Sequence, residues 1–551
     1  MRKLLFLILF AGLFSCQQVS AVKYYVSSSI GSDNSSRNGL SEASSWKTLS
    51  RVGKMTFKPG DSILLKRGDT WRETLIIPSS GAQGASLYIG GFGKGPNPRI
   101  LGSEPALKWA RAGGNLWISE ASFSNPYSAG KYGSEIFFVN KDSTVSWGEY
   151  KTKSADCLKE YEWTFVSGKL IIYCPVDPAT RYAVVEAPQR RNSINLNDKN
   201  YLNINGIDLF YVGEAAISYK SKPQRPQKGL IIENSKIGYV SIKDSELGYG
   251  IDAAYSDMIV RGCEIHNCGR RGISFHIYGS INLSNVLIEN NYFHDGFHTT
   301  GPDFSVGSKS FYLSHINGVI IRRNLFSDPP LSQANTNHIF IQNYRFSESD
   351  ASIGNIYIYS NIFIAPSEAS VQIEGAQSVF IYNNTFFNHN STRSQTISHV
   401  WIDKQNALVE VKNNIFYSSL KNDNNGSGVE LFLREGQDPT RVIADYNLYY
   451  RISNNLRIIE REYAGTWYMN GIASVRSETG WEKHSPIPAD PLFSDPAVHN
   501  FTLKDRSPAI GKGVNLNLPF DFHGKNFDPV NPSIGACEFG QKKTNTPSKN
   551  R

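Results

Sequence analysis

Tyr359-Ser360-Asn361-Ile362-Phe363, Tyr382-Asn383-Asn384-Thr385-Phe386 and Lys412-Asn413-Asn414-Ile415-Phe416 are one motif written three times. Working outward from them, the same pattern of an apolar lead, small or Asn positions and a closing apolar residue recurs. It is found at Ile204–Leu209, Ile232–Ile237, Val260–Ile265, Ile288–Phe293, Ile321–Phe326 and Asp445–Tyr449. Anchored two residues before the last apolar position, the copies fall at 207, 235, 263, 291, 324, 361, 384, 414 and 447. The steps run from 23 to 37 residues. A repeat of that length predicts a stacked solenoid, with short steps as single coils and long ones carrying loops. Apolar alternation within each copy predicts strands with one face inward. The recurring Asn suits a sharp bend, because it tolerates left-handed backbone and bonds its own main chain. Stacked coil on coil, it also predicts an internal hydrogen-bonded ladder, so these residues are given a structural role.

The chain has 551 residues and a formal charge of +8. Residues 1–21 have a basic start (Arg2, Lys3), an apolar run from Leu4 to Leu13 and then small polar residues, the layout of an export signal. Two processing readings stay open. Val19-Ser20-Ala21 fits ordinary cleavage, while Leu13-Phe14-Ser15-Cys16 resembles a lipobox, which would lipidate Cys16 and give the chain its one tie to a membrane. Either way the protein is expected in the periplasm, at the cell surface or outside the cell. Removing the two cations of the leader and Lys542, Lys543, Lys549 and Arg551 of the tail leaves about +2 on the body. That is weak evidence for an acidic substrate and none for nucleic acid. Cys157, Cys174, Cys263, Cys268 and Cys537 show no metal-ligand spacing. Cys157 and Cys174 flank a predicted hairpin, and either pair in an oxidising compartment or are two small buried side chains.

On the Asn motifs, together with Tyr24-Tyr25-Val26, Trp46-Lys47-Thr48-Leu49, Pro59-Gly60-Asp61 and Gly68-Asp69-Thr70-Trp71, the chain resembles the pectin-lyase-like superfamily over roughly residues 23–539. The resemblance implies an all-β, single-stranded right-handed parallel β-helix, monomeric, acting on a polysaccharide or oligosaccharide. The expected organisation is an N-terminal cap and first coils at 22–106, a small β-rich insertion at 107–188 and the main helix at 189–450. C-terminal coils and a closing segment follow at 451–540, then a polar tail at 541–551. Trp46, Leu49 and Val52 predict a short amphipathic helix over the first coil.

The resemblance also implies that the strand after each Asn motif lines a substrate groove. These strands read Ala216–Lys220, Gly250–Ala253, Gly272–His276, Phe311–Ser314, His338–Gln342, Ser370–Glu374, His399–Asp403 and Val429–Arg434. Period-two alternation makes two outward columns. One holds Ser218, Asp252, Ser274, Tyr312, Phe340, Gln372, Trp401 and Phe432. The other holds Lys220, Ala254, His276, Ser314, Gln342, Glu374, Asp403 and Arg434. Aromatic rings such as Trp401 and Phe340 suit sugar faces, while Gln342, Gln372, Asp252 and Arg434 suit hydroxyls or carboxylates. Glu374 and Asp403 on successive strands about 4.8 Å apart approach the spacing of about 5–5.5 Å of a retaining glycosidase pair. The alternative for this pair is a solvated polar face.

A second candidate is the predicted loop His294-Asp295-Gly296-Phe297-His298 with Asp303. His294, His298 or His276 would act there as acid-base or substrate-binding groups. Gly296 argues against a helix that would pair the histidines on a metal, so no metal is assigned. Hydrolysis by the carboxylates is therefore expected, without a cofactor. The alternatives are β-elimination on uronates, with Arg434, His276, Lys404 or Arg270 as base and calcium as cofactor, and a non-catalytic glycan-binding or adhesion β-helix.

Overall fold

The computed structural model describes residues 21–128, 133–219, 227–241, 247–277, 282–306, 315–327, 336–343, 352–389, 397–403, 408–420, 428–434, 439–453, 456–462 and 466–540. Each coil contributes one strand to each of three long sheets. Sheet 1 has twelve strands and starts at Lys23–Val26, sheet 2 has eleven and starts at Thr70–Trp71, and sheet 3 has twelve and starts at Leu75–Ile76. Almost every pairing within them is parallel and in register, so the chain is a parallel β-helix. Its interior is filled by like residues stacked on like. Phe293, Phe326, Phe363, Phe386, Phe416 and Tyr449 form one ring stack with centroids 4.8–5.1 Å apart.

The anchors occupy the bend from sheet 1 to sheet 2. From Asn291 to Asn414 each anchor sends its backbone N–H and its side-chain Nδ2 to the Oδ1 of the next anchor, at 2.9–3.1 Å. The left-handed residue at this bend is the one before the anchor: Gly206, Asn234, Gly262, Asn290, Arg323, Ser360, Asn383, Asn413 and Tyr446 all have positive φ. The recurring Asn thus takes both expected roles at neighbouring positions, the bend at Asn234, Asn290, Asn383 and Asn413 and the ladder at the anchor Asn. Its side chain is used up by the ladder, and the preceding position, Gly or Asn in six of nine coils, takes the strained backbone.

Asn447 ends the ladder on Glu482 and Ser485, with Nδ2 2.9 Å from Glu482 Oε1 and N–H 2.8 Å from Ser485 Oγ. Glu482 is fully buried, and burial pushes its carboxyl up to about 7. A carboxyl raised in the fold favours folding fully below its unfolded pKa near 4.5, and this contribution is lost as pH rises through 7. The shift corresponds to about 3 kcal/mol. Glu482→Gln keeps an acceptor for Asn447 without the charge. The Tm of the variant minus that of wild type is expected to grow from pH 5 to pH 8, and a difference flat with pH would contradict the assignment.

The short helix Leu49–Gly53 buries Leu49 and Val52, with Trp46 stacked on Tyr24, and closes the first coil. The inserted segment forms a four-stranded and a five-stranded sheet. It is joined to the helix by Arg72 gripping both oxygens of Glu186 at 2.7 and 2.9 Å, and it lays Phe137 and Trp147 on Tyr211, Tyr239 and Phe297. Cys157 and Cys174 are buried and free, which leaves the second of their two readings.

Beyond Arg451 only the hairpin Arg457–Glu462 and Thr466–Asn470 continues sheet 3, and helix Ile472–Thr479 covers it. The further coils expected here are absent among the described residues. The chain instead turns back along the outside of sheet 2, packing Phe493, Phe501, Ala509, Ile534 and Cys537 on Ile364, Phe387, Ile415 and Tyr417. Among the described residues, no helix is long and apolar enough to cross a membrane.

Candidate functional site

The outer face of sheet 3 carries the two columns. The first runs Ser218, Asp252, Ser274, Asp303, Phe340, Gln372, Trp401, Phe432 and Glu460 in strict register. In the second, Ser305, Gln342, Glu374 and Asp403 are direct neighbours, with Arg434 beside Asp403. Val371, Ile373, Val400 and Ile402 point inward and are fully buried, so the alternation that turns Glu374 and Asp403 outward is fixed by the core.

Two positions differ from expectation. The fourth strand of the face is Thr299–Val306, not Phe311–Ser314, so Asp303 and Ser305 stand where Tyr312 and Ser314 were expected. Phe311–Ser314, Lys220 and Lys404 lie outside the described residues. Gly301-Pro302 made this strand read as loop, because Pro cannot donate to a ladder. It is accommodated by a register shift between Thr299 and Asp303.

Glu374 and Asp403 each have polar partners on the face. Gln342 Nε2 donates to Glu374 Oε2 at 2.6 Å and Gln372 Nε2 to its Oε1 at 3.0 Å. Arg434 donates to Asp403 Oδ2 at 3.2 Å and lies 6.0 Å over the Trp401 ring, which meets Phe432 edge-on at 4.6 Å. This is not a solvated face. Glu374, Asp403, Gln372, Phe340 and Phe432 are all buried, and Trp401 and Gln342 are half-buried. Two carboxylates on neighbouring strands within an aromatic setting can serve as proton donor and nucleophile.

The remaining candidates are dispersed. His276 lies in the second column but three strands from Glu374, about 14 Å at the spacing of a parallel sheet. Asp252 is one strand further away. Both are too far to exchange a proton with the carboxylates, though within the span of a chain of a few sugars. His294 is on sheet 2, not on this face. It stacks on His266 at 5.0 Å and bonds Asp295 at 2.7 Å and Glu264 at 3.3 Å. Burial pushes its pKa down, but these two carboxylates outweigh burial and raise it. His298 sits at the edge of sheet 3, bonded to Thr299 Oγ1 at 3.0 Å and 6.0 Å from the Phe340 ring. Burial first, then Arg270 and Arg271, press its pKa down to about 4. Asp303 is wholly buried against Arg271 and Ser305, whose charge and hydrogen bonds hold its carboxyl below the usual range despite burial. The Gln342–Glu374–Gln372 clamp joins three residues that were singled out only as separate members of the columns.

No family model matches the chain, and no curated protein matches it. Among solved structures it is similar to the pectate lyase Pel9A, with a TM-score of 0.51 and 13% identity over 95% of this chain and 98% of that one. It also matches XylC in complex with xylose (TM-score 0.48, 15% identity, 83% and 78% covered). A further match is the native GH136 lacto-N-biosidase of Eubacterium ramulus (0.45, 13%, 80% and 67%). The likeness to the pectate lyase over nearly the full length of both chains identifies the fold as a right-handed parallel β-helix.

Proposed function

We propose that the protein is an exported glycoside hydrolase that cleaves a polysaccharide, with Glu374 and Asp403 as its catalytic pair. The observation that carries this reading is the register Glu374↔Asp403 on adjacent parallel strands, beside Trp401 and Phe432. Asp403, with Arg434 as its cationic neighbour, is assigned the nucleophile's role. Glu374, whose two oxygens accept from Gln342 and Gln372, takes the remaining role, proton donation to the leaving oxygen. Placement on neighbouring strands about 4.8 Å apart suits the close carboxyl spacing of a retaining, two-step displacement better than the wider one that leaves room for a water. Trp401 offers a ring face to a sugar, and the rest of the column offers further contacts along a chain.

β-Elimination needs a base able to take a proton, and its first candidate, Arg434, is engaged with Asp403. The aromatic column alone would serve a glycan-binding protein. The test is incubation with a panel of neutral and uronate polysaccharides, reading reducing ends and the ultraviolet absorbance of unsaturated uronates. Reducing ends without absorbance are expected. Both signals together would indicate a lyase, and neither would leave the binding function. Export as a monomer belongs to the same proposal. The mass of the mature N-terminus, lipidated at Cys16 or starting at Val22, decides the route, and an uncleaved leader would contradict it.

A further inference from the structure

Three ionisable side chains that the groove chemistry does not use converge inside the helix. His389 follows the sheet 2 strand Thr385–Phe387, His399 lies in the sheet 3 strand Ile397–Asp403, and Glu430 lies in the next sheet 3 strand, Gly428–Leu433. One donor atom from each lies within 4.8 Å of the other two. Glu430 Oε2 is 3.8 Å from His399 Nε2 and 3.9 Å from His389 Nε2. The exposures of His389, His399 and Glu430 are 6%, 0% and 1%, and the His399 ring stands 5.2 Å from that of Phe386 in the interior stack.

We propose that His389, His399 and Glu430 form a structural site for one divalent transition-metal ion of the zinc type. Two imidazoles and one carboxylate are a donor set suited to zinc rather than to calcium or magnesium, which prefer oxygen. Gaps of 3.8 and 3.9 Å between donors that make no direct hydrogen bond are a little wider than a tetrahedral ion needs, so binding draws them inward by a few tenths of an ångström.

Outer partners are in place as well. Ser370 Oγ meets His399 Nδ1 at 3.2 Å, and Arg451 Nε donates to Glu430 Oε1 at 2.9 Å, leaving Oε2 toward the histidines. His399 Nε2 makes no hydrogen bond among the described residues, a rare state for a fully buried polar atom and one that an ion at this point would relieve. His389 Nε2 is 3.2 Å from the Val429 carbonyl oxygen, to which it donates when metal-free. On binding, that proton passes to Nδ1 and the ring stays neutral. The ion would tie the bend after sheet 2 to two successive strands of sheet 3, and so stiffen the coils that carry the groove without touching substrate.

The experiment uses the full-length protein, stripped with chelator and titrated with zinc chloride. One ion per chain by elemental analysis and a Tm higher by roughly 5 °C are expected. Cobalt in place of zinc should give the visible absorption of a four- or five-coordinate ion. No bound ion at equimolar zinc, together with an unchanged Tm, overturns the proposal. So does undiminished stoichiometry in the His389→Gln/His399→Gln double variant, which would put the ion elsewhere. If the double variant fails to fold, the wild-type stoichiometry and cobalt spectrum decide alone.

Discussion

Asp403→Asn and Glu374→Gln are each expected to lower kcat/KM on the cleaved polymer by a factor of about 10² to 10⁴, the range for losing a positioned acid, base or nucleophile. Neither change should unfold the protein. Both side chains point out of the helix, and the core beneath them is Val371, Ile373, Val400 and Ile402. Asparagine at 403 still accepts from Arg434, and glutamine at 374 can be met by a flipped Gln342 amide. The two variants should fail in different steps. Without the nucleophile no glycosyl-enzyme forms, whereas without the proton donor activated substrates with good leaving groups should still be cleaved. Wild-type rates in both variants would remove the carboxylate mechanism.

The second large effect is on stability. Asn384→Ala takes away the acceptor for the backbone N–H and Nδ2 of Asn361, and the donor to Ile358 O and Asn414 Oδ1. All of these groups are inside the helix, out of reach of water. With buried polar groups left unpaired at about 1–3 kcal/mol each, the total loss is expected at roughly 3–5 kcal/mol. Denaturant melts of variant and wild type measure it. A loss below about 1 kcal/mol would mean that the ladder is decoration on an otherwise sufficient core.

The coil pattern was legible because its signal is local. Asn361, Asn384 and Asn414 announce each bend in adjacent residues, and the period-two apolar pattern around Val371–Ile373 and Val400–Ile402 gives the register that sets Glu374 beside Asp403. Legibility failed where local signals mislead. Gly301-Pro302 hid a strand, so Asp303 and Ser305 were missed as members of the columns. The repeat does not divide the two roles of Asn, since only the stacked coils show that the ladder needs the anchor side chains while the residue before takes the positive φ. His294 was read with His298 in one loop, but the chain turns from sheet 2 to sheet 3 between them, so neighbours in sequence face different ways. The burial of the carboxylates and the meeting of His389, His399 and Glu430 depend on packing between coils, which no single repeat encodes.

The central claim is that Glu374 and Asp403 act across one strand spacing. Its most direct test is the anomeric configuration of the freshly released reducing end, followed by proton nuclear magnetic resonance on the polymer that the panel identifies. A carboxylate pair acting across one strand spacing predicts retention, with the first-formed product carrying the configuration of the bond that was cut. Inversion would contradict the account, since it requires a water between sugar and base and carboxylates set about 6.5–9.5 Å apart.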